Sequence, residues 1–70
     1  MKRVRVDSRA VSSVGYDSDM AVLELVFTSG EVYRYYAVPP SVHRGLLEAE
    51  SIGRYFGEHI RGIYPERHER

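Results

Sequence analysis

The spacing of apolar positions changes once along the chain, at Pro39-Pro40. Before that point the pattern is that of strands. Val4 and Val6 alternate with Arg3, Arg5 and Asp7, which predicts a short N-terminal edge strand as an optional addition to the sheet. Val11 to Tyr16 carries apolar residues at Val14 and Tyr16, and Asp17-Ser18-Asp19 then reads as a turn, because Asp and Ser side chains bond their own backbone. Ala21 to Phe27 is the clearest strand, uniformly apolar at its odd positions. Thr28-Ser29-Gly30 breaks it. Glu31 to Val38 follows as a second strong strand rich in Val and Tyr, and Pro39-Pro40 ends it because proline has no N–H for a ladder.

The register of that hairpin decides which side chains are available for function. A two-residue Ser29-Gly30 loop places Val32, Arg34 and Tyr36 beside Phe27, Leu25 and Leu23. A three-residue Thr28-Ser29-Gly30 loop places Tyr33, Tyr35 and Ala37 beside Leu25, Leu23 and Ala21. One residue of slip exchanges the two faces. Serine suits the positive φ of a type I′ turn poorly, whereas a type I turn closed by a left-handed glycine is a common solution, so the three-residue loop is preferred.

Beyond Pro40 the period is helical. Val42, Leu46 and Ala49 share a stripe, with Leu47 beside it, and either Ser41 caps this helix or Pro40 occupies its first turn. Ser51 reads as the N-cap of a second helix whose apolar face is Ile52, Tyr55, Phe56, Ile60 and Ile63, closed at Gly62 and stopped by Pro65. The pattern therefore predicts an α+β fold: a three-stranded antiparallel meander, then two short helices on its Leu23/Leu25/Phe27 face. Residues 1–70 form one domain, with the core at about 8–64 and a charged, solvated tail at 65–70.

Composition changes this picture in three ways. Seventy residues bury only about 60% of the surface exposed when unfolded. There is no cysteine, so neither disulfides nor thiolate metal sites contribute, and the absence of an export signal makes the cytoplasm the expected location. Formal net charge is zero, which excludes a binder that works by broad phosphate neutralisation and confines any nucleic-acid contact to a local patch. All but one of the ten basic residues are arginine, which suits planar bidentate contacts.

The candidate chemistry is that of binding. Arg34 with Tyr36 is a guanidinium–aromatic pair of the kind that stacks on bases. On the preferred register these two lie on the uncovered face, and Tyr33 and Tyr35 are core aromatics; on the other register the latter two become RNA contacts. Arg54 is a further RNA candidate. Ser51, Gly53 and Arg54 open a helix as a phosphate site would, although capping needs only the serine and Gly53 also suits close packing. Val22, Val26 and Val32 offer an apolar surface for a protein partner or a second copy of the chain. His43, His59 and His68 lack metal-ligand spacing, so no metal and no cofactor is expected. Asp17 and Asp19 belong to a turn, Ser8, Ser12 and Ser13 sit in no nucleophile elbow, and the expectation is a protein without catalytic activity.

Gly15-Tyr16-Asp17, Leu23-x-Leu25-x-Phe27, Gly30, Val32-Tyr33-Arg34-Tyr35, Val38-Pro39, Leu47-x-Ala49-x-Ser51-x-Gly53-Arg54-Tyr55-Phe56 and Ile60-x-x-x-Tyr64 follow one another in order. This set resembles the KTSC domain, a small module named from the C-terminus of some lysyl-tRNA synthetases and also found as a stand-alone bacterial or phage protein. The resemblance runs from about Ser8 to Tyr64. It implies a binding module without an established activity, for which RNA, including tRNA, is the suggested ligand.

Overall fold

The computed structural model describes residues 1–69, so Arg70 of the expected tail lies outside the described residues. Seven elements follow one another: β1 (Arg3–Arg5), β2 (Val11–Asp17), β3 (Val22–Phe27), β4 (Val32–Tyr35), α1 (Pro40–Glu48), α2 (Ile52–His59) and β5 (Glu66–Glu69). The strands form one antiparallel sheet in the order β1-β2-β3-β4-β5. The α+β class and the two helices are as expected, but the sheet has five strands, not three.

The central hairpin takes the three-residue turn. Phe27 N–H donates to Glu31 O at 2.8 Å, Gly30 N–H donates to Phe27 O at 2.8 Å, and Gly30 holds φ at 96°. Leu23 is thereby opposite Tyr35, Leu25 opposite Tyr33, Glu24 opposite Arg34 and Val26 opposite Val32. Leu23, Leu25 and Tyr35 are buried with Val11 and Val14 of β2 under Leu46, Ile52, Phe56 and Ile60, so the helices cover the expected face.

The expected solvated tail is corrected: its residues 66–69 are a strand. Without it the outer edge of β4 would leave its backbone donors and acceptors unpaired. Glu66, Arg67, His68 and Glu69 instead pair with Tyr35, Arg34, Tyr33 and Val32, and the His68 ring stacks on Tyr33 at 4.5 Å. An edge strand can be wholly charged because its side chains still reach water on the rim.

Two strand ends are also corrected. Ala21 and Ala37 both have left-handed backbones, with φ of 56° and 60°, so the expected Ala21–Ala37 pair does not form. Ala21 closes the turn between β2 and β3, Ala37 turns the chain away toward α1, Val38 N–H donates to Ala21 O at 2.9 Å, and Tyr36 N–H donates to Pro65 O at 2.9 Å.

Pro40 occupies the first turn of α1 and no side chain caps it, so Ser41 is not a cap. Ser51 caps α2, accepting from Arg54 N–H at 3.2 Å, a bond of about 1 kcal/mol. The expected continuation to Gly62 is corrected, since α2 ends at His59. Ile60 is buried just past the helix, and Gly62, with φ at 75°, lets the chain turn so that Ile63 points outward, 58% exposed. The two helices meet where Gly45 faces Tyr55: a Cβ on Gly45 would collide with the Tyr55 hydroxyl and ring. Gly45→Ala is expected to destabilise the fold by about 1–3 kcal/mol through overpacking. Thermal denaturation should show the loss, and Tyr55→Ala in the same chain should recover part of it.

Candidate nucleic-acid interface

The face away from the helices carries one row of charge across all five strands. In register, Arg3 of β1 lies opposite Gly15, Gly15 opposite Glu24, Glu24 opposite Arg34, and Arg34 opposite Arg67 of β5. Gly15 has no side chain and Met1 and Lys2 lie over it, while the Arg3 side chain spans β2 and reaches Glu24. Its Nε donates to Glu24 Oε1 at 2.6 Å, while Arg34 Nε donates to Glu24 Oε2 at 3.0 Å. Both carboxylate oxygens are thus engaged, and Glu24 is buried at 4% exposure. The two arginines remain about half exposed, at 47% and 42% of their side chains. Charge-assisted bonds of this length hold the guanidinium planes in place.

The Arg3 bond is the main reason that the Glu24 carboxyl ionises below its ordinary range; burial opposes it and Arg34 adds to it. The bond that Arg34 itself donates to Glu24 raises the Arg34 pKa. Arg67 is exposed and approaches Glu69 at 3.4 Å. Arg5, opposite Ser13, lies on the same face. Tyr36, half-buried just past β4, is close enough to affect the ionisation of Arg34.

The structure brings together only some of the residues that the sequence suggested. Arg34 and Tyr36 are neighbours. Tyr33 and Tyr35 are on the covered face, Tyr35 at 2% exposure, where burial and the Glu66 carboxylate hold its phenol far above the usual range. Arg54 projects from the outer side of α2 and pairs with Glu58 at 3.3 Å, remote from the arginine row. The Ser51 hydroxyl serves as a cap, Gly53 faces Ala10, and Asp7, Arg9 and Glu50 line the same hollow. Val26 and Val32 form a half-buried pair on the open face, whereas Val22 is already buried within the chain. Arg3, Glu24 and Arg67 were not among the suggested residues. The Glu24–Arg34 pair follows from the preferred register, but the Arg3 contact depends on the β1–β2 register that sets Arg3 opposite Gly15.

The sequence matches the KTSC domain over residues 7–64. The chain belongs to the KTSC domain family. A KTSC domain protein of Yersinia pestis, solved by crystallography, superposes with a TM-score of 0.96 at 35% identity, over 99% of this chain and 97% of that one. An uncharacterized protein of Stutzerimonas stutzeri is 52% identical over 58 residues, 83% of this chain and 82% of its own length. A lysine–tRNA ligase of Nostoc punctiforme is 34% identical over 61 residues, 87% of this chain but 11% of the ligase. This KTSC domain therefore spans a small fraction of the ligases that it resembles. Its family match begins after β1 and stops before β5, so Arg3 and Arg67 are contributed by the strands outside the matched stretch.

Because the folded state lowers the Glu24 pKa, the carboxylate stabilises the fold at neutral pH. That contribution is lost as pH falls through the folded-state value, below the ordinary carboxylate range. Glu24→Gln is expected to cost about 1–3 kcal/mol at pH 7. Urea unfolding of both chains between pH 7 and 3 should show the gap between them closing in acid.

Proposed function

We propose that this KTSC domain is a non-catalytic binding module that holds single-stranded RNA, such as an exposed loop of a tRNA, against its open sheet face. The observation that carries the reading is the pair of arginines fixed by Glu24 in one row with Arg67. Fixed guanidinium planes lose little freedom when they meet a phosphate or stack on a base, and Tyr36 adds an aromatic ring beside them. The likeness to segments of lysine–tRNA ligases supports RNA as the ligand class. Zero net charge is compatible with it, because Arg3, Arg5, Arg34 and Arg67 share this one face. A cysteine-free chain suits the reducing cytoplasm, where such RNA is found. No helix among the described residues is long and apolar enough to cross a membrane.

NMR titration with a short single-stranded oligoribonucleotide and with tRNA, at two salt concentrations, tests this. Shifts are expected at Arg34, Tyr36 and Arg67. Three phosphate contacts on a single strand would give a logarithmic salt slope of about −2. Arg67→Gln should reduce that slope while leaving the fold intact, since Arg67 is exposed on an edge strand. No shifts at low salt would remove the RNA reading. The competing reading, a protein partner or a second copy held on Val22, Val26 and Val32, rests on the half-buried Val26–Val32 pair, with Val22 buried in the chain. Sedimentation equilibrium at high concentration is accordingly expected to return a monomer.

A further inference from the structure

On the helix side of the sheet a cleft of about 330 Å³ opens between the Thr28–Gly30 turn, α2 and the start of β5. Its floor is a closed circuit of four aromatic rings. Phe27 meets Tyr33 at 5.8 Å, Tyr33 meets Tyr35 at 6.4 Å, Tyr35 meets Phe56 at 5.5 Å and Phe56 returns to Phe27 at 5.4 Å. Three of the four contacts are edge-to-face, so the rings present differently oriented faces and edges around the floor. Ring faces are electron-rich and attract cations.

Two carboxylates, Glu31 and Glu66, line the same cleft. They oppose entry of a nucleotide or any other anion and complement a positive ligand. The chain already places a cation on this floor: the Arg61 guanidinium lies 5.9 Å from the centre of the Phe56 ring. The volume is at the small end for ligand pockets, which suits a small molecule and not a folded partner.

We propose that this cleft binds a small organic cation with an alkylated ammonium head, seated against Phe27 and the part of Tyr33 that the His68 stack leaves open, with Glu31 and Glu66 as its counter-charges. Arg61 competes with the ligand for the Phe56 end of the floor and keeps affinity low. The site is on the opposite side of the sheet from the arginine row, so it stands or falls independently of the RNA reading.

Choline and its neutral isostere 3,3-dimethylbutan-1-ol separate charge recognition from apolar binding. With the full chain, choline is expected to shift the ring resonances of Phe27 and Tyr33 saturably, and the alcohol to bind at least about fivefold more weakly. Arg61→Ala should tighten choline binding by about two- to fivefold, and Glu66→Gln should weaken it by a similar factor. Both substitutions are at exposed positions, and an unchanged amide spectrum away from the cleft verifies the fold. Equal response to choline and the alcohol, no response to choline, or weaker binding in Arg61→Ala would each overturn the proposal.

Discussion

Gly30 sets the parity of the whole sheet. Its positive φ closes a three-residue turn, and that turn puts Tyr33 and Tyr35 against Leu25 and Leu23 under the helices. The same parity puts Arg34 opposite Glu24 on the other face, and carries on into β5, where His68 joins the aromatic side and Arg67 the arginine row. A turn one residue shorter would send the tyrosines to solvent and the arginine into the core. The cost of burying an unpaired guanidinium makes that alternative strongly unfavourable. The core, the charged row and the aromatic floor are therefore three results of one backbone conformation.

A net charge of zero conceals an uneven distribution. On the open face Arg3, Arg5, Arg34 and Arg67 outnumber Asp17, Glu24 and Glu69, and the central carboxylate is out of solvent. Across the sheet, Glu31 and Glu66 outnumber Arg61 around the aromatic cleft. Neighbouring strand residues point to opposite faces, so β5 serves both: Glu66 borders the cleft and Arg67, next in the chain, extends the arginine row. A sheet this thin can separate two ligand chemistries by alternation alone.

Much of this was legible in the residues, and the part that was not has physical causes. Turn chemistry at Thr28-Ser29-Gly30 led to the correct register, Ser51 to the α2 cap, and alternation in β3 to the covered face. Strand β5 was not legible because Glu66-Arg67-His68-Glu69 has no apolar period; its formation depends on an edge presented by residues some thirty positions earlier. The left-handed backbones of Ala21 and Ala37 were equally hidden, since alanine has no local reason to adopt them; the first closes the turn between β2 and β3 and the second lies where the chain leaves the sheet for α1. For the candidate site, Arg34 and Tyr36 could be placed by parity. Arg54 could not be excluded without knowing that α2 directs it away from the sheet toward Glu58.

The pairing of β4 with β5 encloses both helices in one excursion of the chain, from Tyr35 out and back to Glu66. Strands β1 to β4 are joined by short turns and can zip in sequence, but β5 can dock only after a loop of roughly thirty residues has closed. The entropy of that closure is about 3 kcal/mol beyond a constant term, and exposed charged side chains return little of it by burial. Closure of that loop favours docking of β5 after the helices are seated, and its exposed charged side chains hold it only weakly. Its release would uncover the Tyr33 ring, take Glu66 from the cleft and Arg67 from the open face at once. One fraying event at the end of the chain would thus couple the two faces, which share no side chain.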